Sequence, residues 1–460
     1  MSDDGNDTTP DGSQGNGGID GTDGTDWRGR GRSVLDRLVE ASVFERVLIS
    51  LAALVLSIAI GVVIILAAGR TATCESAATT YFGVGFCYDP FRVYDRLFLG
   101  ALGNPINPLF DPLHGQFAAP FREGWTPFNP RLADTMTETT ILVLTGLSVA
   151  VAFKAGIFNI GTQGQMVVGG LASTLAMLAL APLFSGVTAT LVLLPIGLLV
   201  GALFGGLYGA IPGALKAYAD ANEVITTIML NFVASLVALY LVREQFQDPD
   251  SFSTKTNDLP AGVEFPKLVY APSDEFSVLA FVFVLLLTGA TYYVLRYTSF
   301  GYDLRTSGLQ PDAAEYGGVD AAKTIVASMT ISGALAGVAG TVYVVLLYGY
   351  FQPGLPAYGF DGITVSILAG NNPLGVVPAA FLFGVLKSGA ISIQTDPNVD
   401  IPIQLVGVLR GLIILFVAMP EFFRLIGKRA NDLGGRSRDR TGGSGPVRSD
   451  GGVLGGEGDE

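Results

Sequence analysis

Residues 155–170 read AGIFNIGTQGQMVVGG, a run broken by Gly156, Asn159, Gly161 and Gly164 inside otherwise lipid-like sequence. A backbone broken at membrane depth is tolerated only where it is buried in protein or lines a cavity, because lipid cannot satisfy freed N–H and C=O groups. Broken apolar segments therefore point to a translocation pathway. The rest of the chain has the composition this reading needs. Of its 460 residues 50% are hydrophobic and only 15% charged, against about 25% charged in a soluble domain. The deficit is concentrated in apolar runs of about 20 residues, enough to cross roughly 30 Å of hydrocarbon.

The expected fold is all-α, a polytopic membrane protein of about ten transmembrane helices. They fall near 47–68, 133–152, 158–181, 187–210, 224–242, 276–296, 325–348, 358–370, 375–393 and 402–420. The eighth is short and stops at Gly370-Asn371-Asn372-Pro373, as a partial span would. Arg28, Arg30, Arg32, Arg37 and Arg46 precede the first segment, and Arg424, Lys428 and Arg429 follow the last. Basic residues collect on the cytoplasmic side, so both termini are expected there, with an even number of crossings. Residues 33–428 form the transmembrane domain. Residues 1–32 and 429–460 are Gly- and Asp-rich or Gly-, Arg- and Asp-rich tails with too few apolar groups to fold.

The net charge of −13 and pI of about 4.6 exclude nucleic acid as a natural partner. The acidity leaves two readings open, a surface suited to high salt or two acidic tails that sum this way. Cys74 and Cys87 lie in the first long loop, where an extracellular position permits a disulfide; two free thiols are the alternative. Neither they nor the lone His114 have metal-ligand spacing. No G-x-x-x-x-G-K-[ST] loop and no H-E-x-x-H is present, so ATP hydrolysis by a phosphate loop and metalloprotease chemistry are excluded. The chain is expected to carry no cofactor and to be no enzyme.

The longest connection on the cytoplasmic side, 296–323, holds Asp312-Ala313-Ala314 and Gly318. Pro311 and Gly317-Gly318 bracket one short helix, which suits either a partner's groove or the membrane surface. Asp312-Ala313-Ala314-x-x-x-Gly318 resembles the EAA loop of ABC importer permeases, with Asp where that family has Glu. Phe158 to Gln165 resembles the FNIGAEGQ signature of the nucleoside-type branch within the ribose and branched-chain amino-acid permease superfamily, with Thr162 and Gln163 in place of Ala and Glu. Asn222 to Asn231 is similar to its HEVISTIMLN element, and Gly359-Phe360-Asp361-Gly362-Ile363 and Leu368 to Pro373 to its late broken segment. The likeness runs roughly from Asp89 to Pro420, in the family's order.

That resemblance implies the membrane-spanning subunit of an ATP-driven importer in the plasma membrane, for nucleosides or, alternatively, simple sugars. Its implied partners are cytoplasmic ATPase subunits carrying ATP-Mg, a second permease, and an extracellular solute-binding lipoprotein. Asp312, Ala313, Ala314 and Gly318 would couple to the ATPase, so a bulky charged residue at 314 is expected to abolish docking without unfolding the chain. Asn159, Gln163, Gln165, Glu223 and Asn231 would lie along the solute pathway; the amides there offer hydrogen bonds without fixed charge. The rival role for such groups is bonding between helices. Four ionisable residues sit within or at the edges of the segments: Glu138, Glu223, Lys387 and Arg410. Such groups normally face a cavity or a partner, and Lys387 and Arg410 cannot neutralise each other. An ion-coupled secondary transporter is the reading from another class; it needs a mid-membrane acid, and Glu138 and Glu223 lie near segment ends.

Overall fold

The computed structural model describes residues 43–74, 77–81, 83–105, 124–260, 262–396, 399 and 401–418. Residues 50–423 form one unit; of the other, 1–49 with 424–460, only the start of the first helix is described. The tails at 1–32 and 429–460 and His114 lie outside the described residues.

Helix α1 (Val43–Thr71) leads into a two-stranded antiparallel hairpin, β1 (Thr79–Tyr81) and β2 (Val84–Phe86), with Thr79 opposite Phe86. Cys74 and Cys87 are joined as a disulfide at its base, their Cα atoms 5.8 Å apart. Helix α2 (Pro90–Phe98) follows, capped by Asp89, whose carboxylate accepts the Phe91 amide at 3.0 Å. It buries Pro90, Val93, Tyr94 and Leu97, and the Leu97 carbonyl rests on Gly389 where any side chain would collide. Residues 69–132 read as loop from hydropathy; α2 is too short and too polar on its outer face to register as an apolar run.

Eight helices among the described residues are long and apolar enough to cross a membrane. After α1 these are α3 (Pro130–Lys154), α4 (Thr162–Leu180), α5 (Val187–Ala219), α6 (Glu223–Gln245), α7 (Val278–Tyr297), α10 (Ala321–Tyr343) and α12 (Pro373–Gln394). Two shorter helices, α11 (Tyr358–Leu368) and the apolar α13 (Ile403–Ala418), stand where the eighth and tenth segments were expected. The chain is an all-α polytopic membrane protein. Its centre is α3 and α10, buried over 83% and 78% of their apolar windows, whereas α5, α6 and α7 are buried over only 28%, 22% and 22%. In lipid an outward Leu or Phe costs nothing, so peripheral helices need no polar face.

Close approach at the centre depends on glycine. Gly201 and Gly205 of α5 lie against Gly333 and Gly337 of α10 so closely that a β-carbon at Gly337 would overlap the Gly201 carbonyl, and one at Gly333 the Gly205 carbonyl. Gly169 and Gly170 of α4 meet Gly337 and Gly340 in the same way. The Gly333/Gly337 pair is therefore occupied within this chain. Small residues that let backbones touch are what hold helices together where no hydrophobic force acts between them.

The 296–323 connection contains two short helices rather than the one expected. Helix α9 (Pro311–Tyr316) is the one bracketed by Pro311 and Gly317. Helix α8 (Ser299–Leu309) precedes it, started by the Thr298 hydroxyl accepting the Gly301 amide at 3.2 Å. Residues 246–260 and 262–277 contain no helix or strand. The Thr256 amide donates to the Phe351 carbonyl at 2.9 Å and the Leu259 amide to the Gly349 carbonyl at 2.7 Å, tying that loop to the 349–357 segment.

Candidate translocation site

Two breaks in the helices meet in the middle of the bundle. The first follows α3: Ala155 caps it, Gly156 turns at φ 73°, and α4 starts at Thr162. The second follows α10, whose last turn widens into a π-helix at Val344–Tyr348 before Gly349 turns at φ 68°. Such widened turns recur at functional sites. Residues 349–357 then lead to α11, which ends at Gly370 (φ 62°) and Asn371 (φ 56°), and Asn372 caps α12 through the Leu374 amide at 3.2 Å. The partial span anticipated at 358–370 is thus α11.

The amides singled out in the sequence are what satisfy the broken backbone. Asn159 and Gln165, both 1% exposed, bond to each other reciprocally at 2.9 and 3.2 Å. Asn159 also donates to Ser332 Oγ at 2.7 Å and accepts the Gly161 amide at 2.9 Å. Gly161 offers α4 no side-chain cap, leaving first-turn amides without carbonyl partners. Asn231 supplies one from α6: its Oδ1 accepts the buried Gly164 amide at 2.8 Å, and its Nδ2 donates to the Ile160 carbonyl at 3.0 Å. Gln163 joins the two breaks, donating to the Leu355 and Pro356 carbonyls at 3.3 and 3.0 Å and accepting the Gly359 amide at 2.8 Å. An ionised carboxylate there has no hydrogen to give those carbonyls, so the neutral amide of Gln163 meets both of them where a charged glutamate could not. Glu223 lies apart from this group, at the first position of α6, 3.5 Å from Lys216 Nζ. Thr226 and Thr227 bond only to carbonyls within or just before their own helix.

Lys387 has the partner the sequence did not reveal. Its Nζ is 3.1 Å from Glu138 Oε2 and 3.4 Å from Asp361 Oδ2, and 3.4 Å from the centre of the Tyr358 ring. The Tyr358 hydroxyl donates to Glu138 Oε1 at 2.9 Å. Asp361 and Tyr358 are functional candidates that the sequence reading passed over. The signal was there: Asp361 is an ionisable residue inside an apolar segment, which by default marks a site. Beyond Glu138, toward the 246–277 loop, Glu275 is held above the usual carboxylate range by burial and by the charges of Asp134 and Glu138.

At the opposite end, α9 presents Asp312, Ala313, Glu315 and Tyr316 outward, with Tyr316 96% exposed. Leu309, at the end of α8, is 85% exposed. Ala314 is 1% exposed. A bulky charged residue at 314 would therefore have to enter a buried position, which counts against the expectation that it would spare the fold. Gly318 turns the chain out of α9 at φ 82°, and Asp320 caps α10, its carboxylate held below its ordinary range by Lys323.

Residues 131–418 match the permease component of the branched-chain amino acid transport system. The chain belongs to that permease family. Over 385 residues the permease is 30% identical to the nucleoside ABC transporter permease protein NupB of Lactococcus lactis, covering 82% of this chain and 91% of the relative. It is 35% identical over 297 residues to the guanosine ABC transporter permease protein NupP of Bacillus subtilis, covering 64% and 83%. The glucose ABC transporter permease protein TsgB13 of Haloferax volcanii is 29% identical over 332 residues, covering 68% and 83%. L. lactis and B. subtilis each supply a second, more distant relative, NupC at 27% and NupQ at 24%. The permease is a multi-pass membrane protein and a transport component of an ABC system.

Proposed function

We propose that the permease carries nucleosides into the cell, as one of two non-identical permease subunits worked by cytoplasmic ATPases that hold ATP-Mg. An extracellular solute-binding lipoprotein delivers the solute, and both termini of the permease lie in the cytoplasm. The observation that carries the solute class is the likeness to NupB over four-fifths of the chain, supported by NupP. The pairing with a distinct second permease draws on the two unequal relatives present in each of two organisms.

In this reading the end of the bundle with Asp312, Ala313 and Gly318 receives the ATPase, with Tyr316 and Leu309 as its apolar anchors and Ala314 packing the helix from beneath. Exposed aromatic side chains of this kind dominate docking energies. Asn159, Gln163, Gln165 and Asn231 hold the two breaks in one conformation along the pathway, and Glu223 with Lys216 marks its cytoplasmic end. A glucose-type solute is the second reading, favoured by TsgB13. An ion-coupled carrier is less well supported, because Glu138 and Asp361 already share the Lys387 ammonium.

The test is affinity capture of the tagged permease from detergent with its neighbours' gene products co-expressed. Wild type should bring down a P-loop ATPase, and Tyr316→Asp should lose it while the permease itself is recovered at the same yield. Uptake of labelled guanosine into the same cells should be blocked by excess nucleoside and not by glucose. Capture of the permease alone, with uptake that follows an ion gradient, would overturn the proposal.

A further inference from the structure

Three separate contacts converge on the first turn of α11. Tyr358 bonds to Glu138 of α3, the Gly359 amide to Gln163 of α4, and Asp361 pairs with Lys387 of α12. Helix α11 is only 11 residues long and is bounded by non-helical backbone on both sides. Few intrahelical bonds hold so short an element; its body packs on α3, where Gly362 rests on Thr145 and Val365 on Gly146, and the side chains pinned to its first turn hold the end next to the break.

The three charged side chains are not equivalent. Glu138 and Lys387 stand on α3 and α12, two long helices already in register through Gly384, which rests on Thr139 and the Thr135 carbonyl. Their side chains are 16% and 15% exposed, whereas Asp361 is 32% exposed. Lys387–Glu138 joins two long helices, and Lys387–Asp361 joins that pair to the start of a short helix between breaks. Two carboxylates share one ammonium. If Asp361 leaves, Lys387 keeps Glu138 and the Tyr358 ring, so no buried cation is stranded; stranding one is what makes breaking an ordinary buried pair prohibitive. The carboxylate released is the least buried of the three charged groups.

We propose that Lys387 is the positioning residue that pins the start of α11 where it stands in this structure, and that each transport cycle parts Lys387 from Asp361 while Lys387–Glu138 persists. Lys387 touches no solute in this scheme; it sets the resting position of the helix between the two breaks. The inference rests on the importer reading above.

The experiment uses the permease complex with its ATPase and second permease, reconstituted in liposomes. ATP hydrolysis with and without solute-loaded binding protein, and solute uptake, are measured on the same vesicles. Asp361→Asn and Lys387→Met should raise ATP hydrolysis in the absence of solute and cut the solute-stimulated ratio about tenfold, with uptake falling in step. Lys387→Arg keeps the charge and the contact with the Tyr358 ring and should restore the ratio to within about twofold of wild type. A purely structural role gives lower yield and a lower melting temperature with an unchanged ratio, and that result would overturn the proposal. Should Lys387→Met fail to assemble, Asp361→Asn reads the same ratio with only a partly open charge removed. A wild-type preparation lacking any ATPase would instead defeat the importer reading.

Discussion

Replacing Asn231 with leucine should open the first break. Asn231 holds the buried Gly164 amide at 2.8 Å and the Ile160 carbonyl at 3.0 Å, and leucine can do neither. Side-chain bonds between membrane helices average about 0.6 kcal/mol, because the reference state finds other partners. The present case differs in kind. Both partners are backbone groups at a helix start and in a non-helical stretch, with no carbonyl or amide to fall back on. Stranding one such group costs about 1–3 kcal/mol, so the two together should cost about 2–4 kcal/mol once some relaxation is allowed. At about 1.4 kcal/mol per decade, local opening of residues 158–165 rises roughly 30- to 1,000-fold. Hydrogen–deuterium exchange of the detergent-purified protein reads this directly, as faster exchange in peptides covering that stretch. Thr227→Val is the control, since Thr227 bonds only to the Glu223 and Val224 carbonyls of its own helix. Unchanged exchange in Asn231→Leu, or an equal rise in Thr227→Val, would refute the clasp.

Three further outcomes are expected. Gly337→Ala should destabilise the protein by about 1–3 kcal/mol, because the new methyl overlaps the Gly201 carbonyl and α5 and α10 must separate; a thermal melt in detergent measures it. Replacing Cys74 and Cys87 together by serine should remove about 3 kcal/mol of unfolded-chain constraint, seen as a lower melting temperature and the loss of any shift on reduction. Glu275 has its pKa raised in the folded state by burial and by Asp134 and Glu138. The folded form therefore binds its proton more readily than the unfolded chain, and the stability this provides is present below the ordinary carboxylate range and lost as pH rises through the raised value. Glu275→Gln should abolish that fall and stabilise the protein at neutral pH, measured as melting temperature against pH from 4 to 8.

Sequence speaks most clearly where one residue type has only one use. Gly370-Asn371 before Asn372-Pro373 marked the end of α11, because a left-handed turn followed by a cap and a proline leaves a helix little choice but to stop and restart. Pro311 and Gly317 bracketed α9 for the same reason. Sequence hides α2, whose apolar face spans only nine residues, and α8, which starts on a hydroxyl cap instead of an apolar stripe. The residues of the breaks were identified from their polarity inside apolar sequence, but their partners were not. An amide looks the same in a sequence whether it faces a solute or a carbonyl.

What the sequence determined alone is everything that local composition dictates: an all-α membrane protein, the positions of its apolar segments, and the breaks between them. Hydrocarbon enforces these one segment at a time, since each must satisfy its own backbone. What only the tertiary structure decided is which groups meet. Gln163 and Gly359 are far apart in the chain, and so are Glu138, Asp361 and Lys387; only the packing of α3, α4, α11 and α12 brings them within hydrogen-bonding and ion-pairing distance. The same packing turned Ala314 inward and left Tyr316 outside. Periodicity in a helix of six residues spans less than two turns, too short to tell its buried face from its free one.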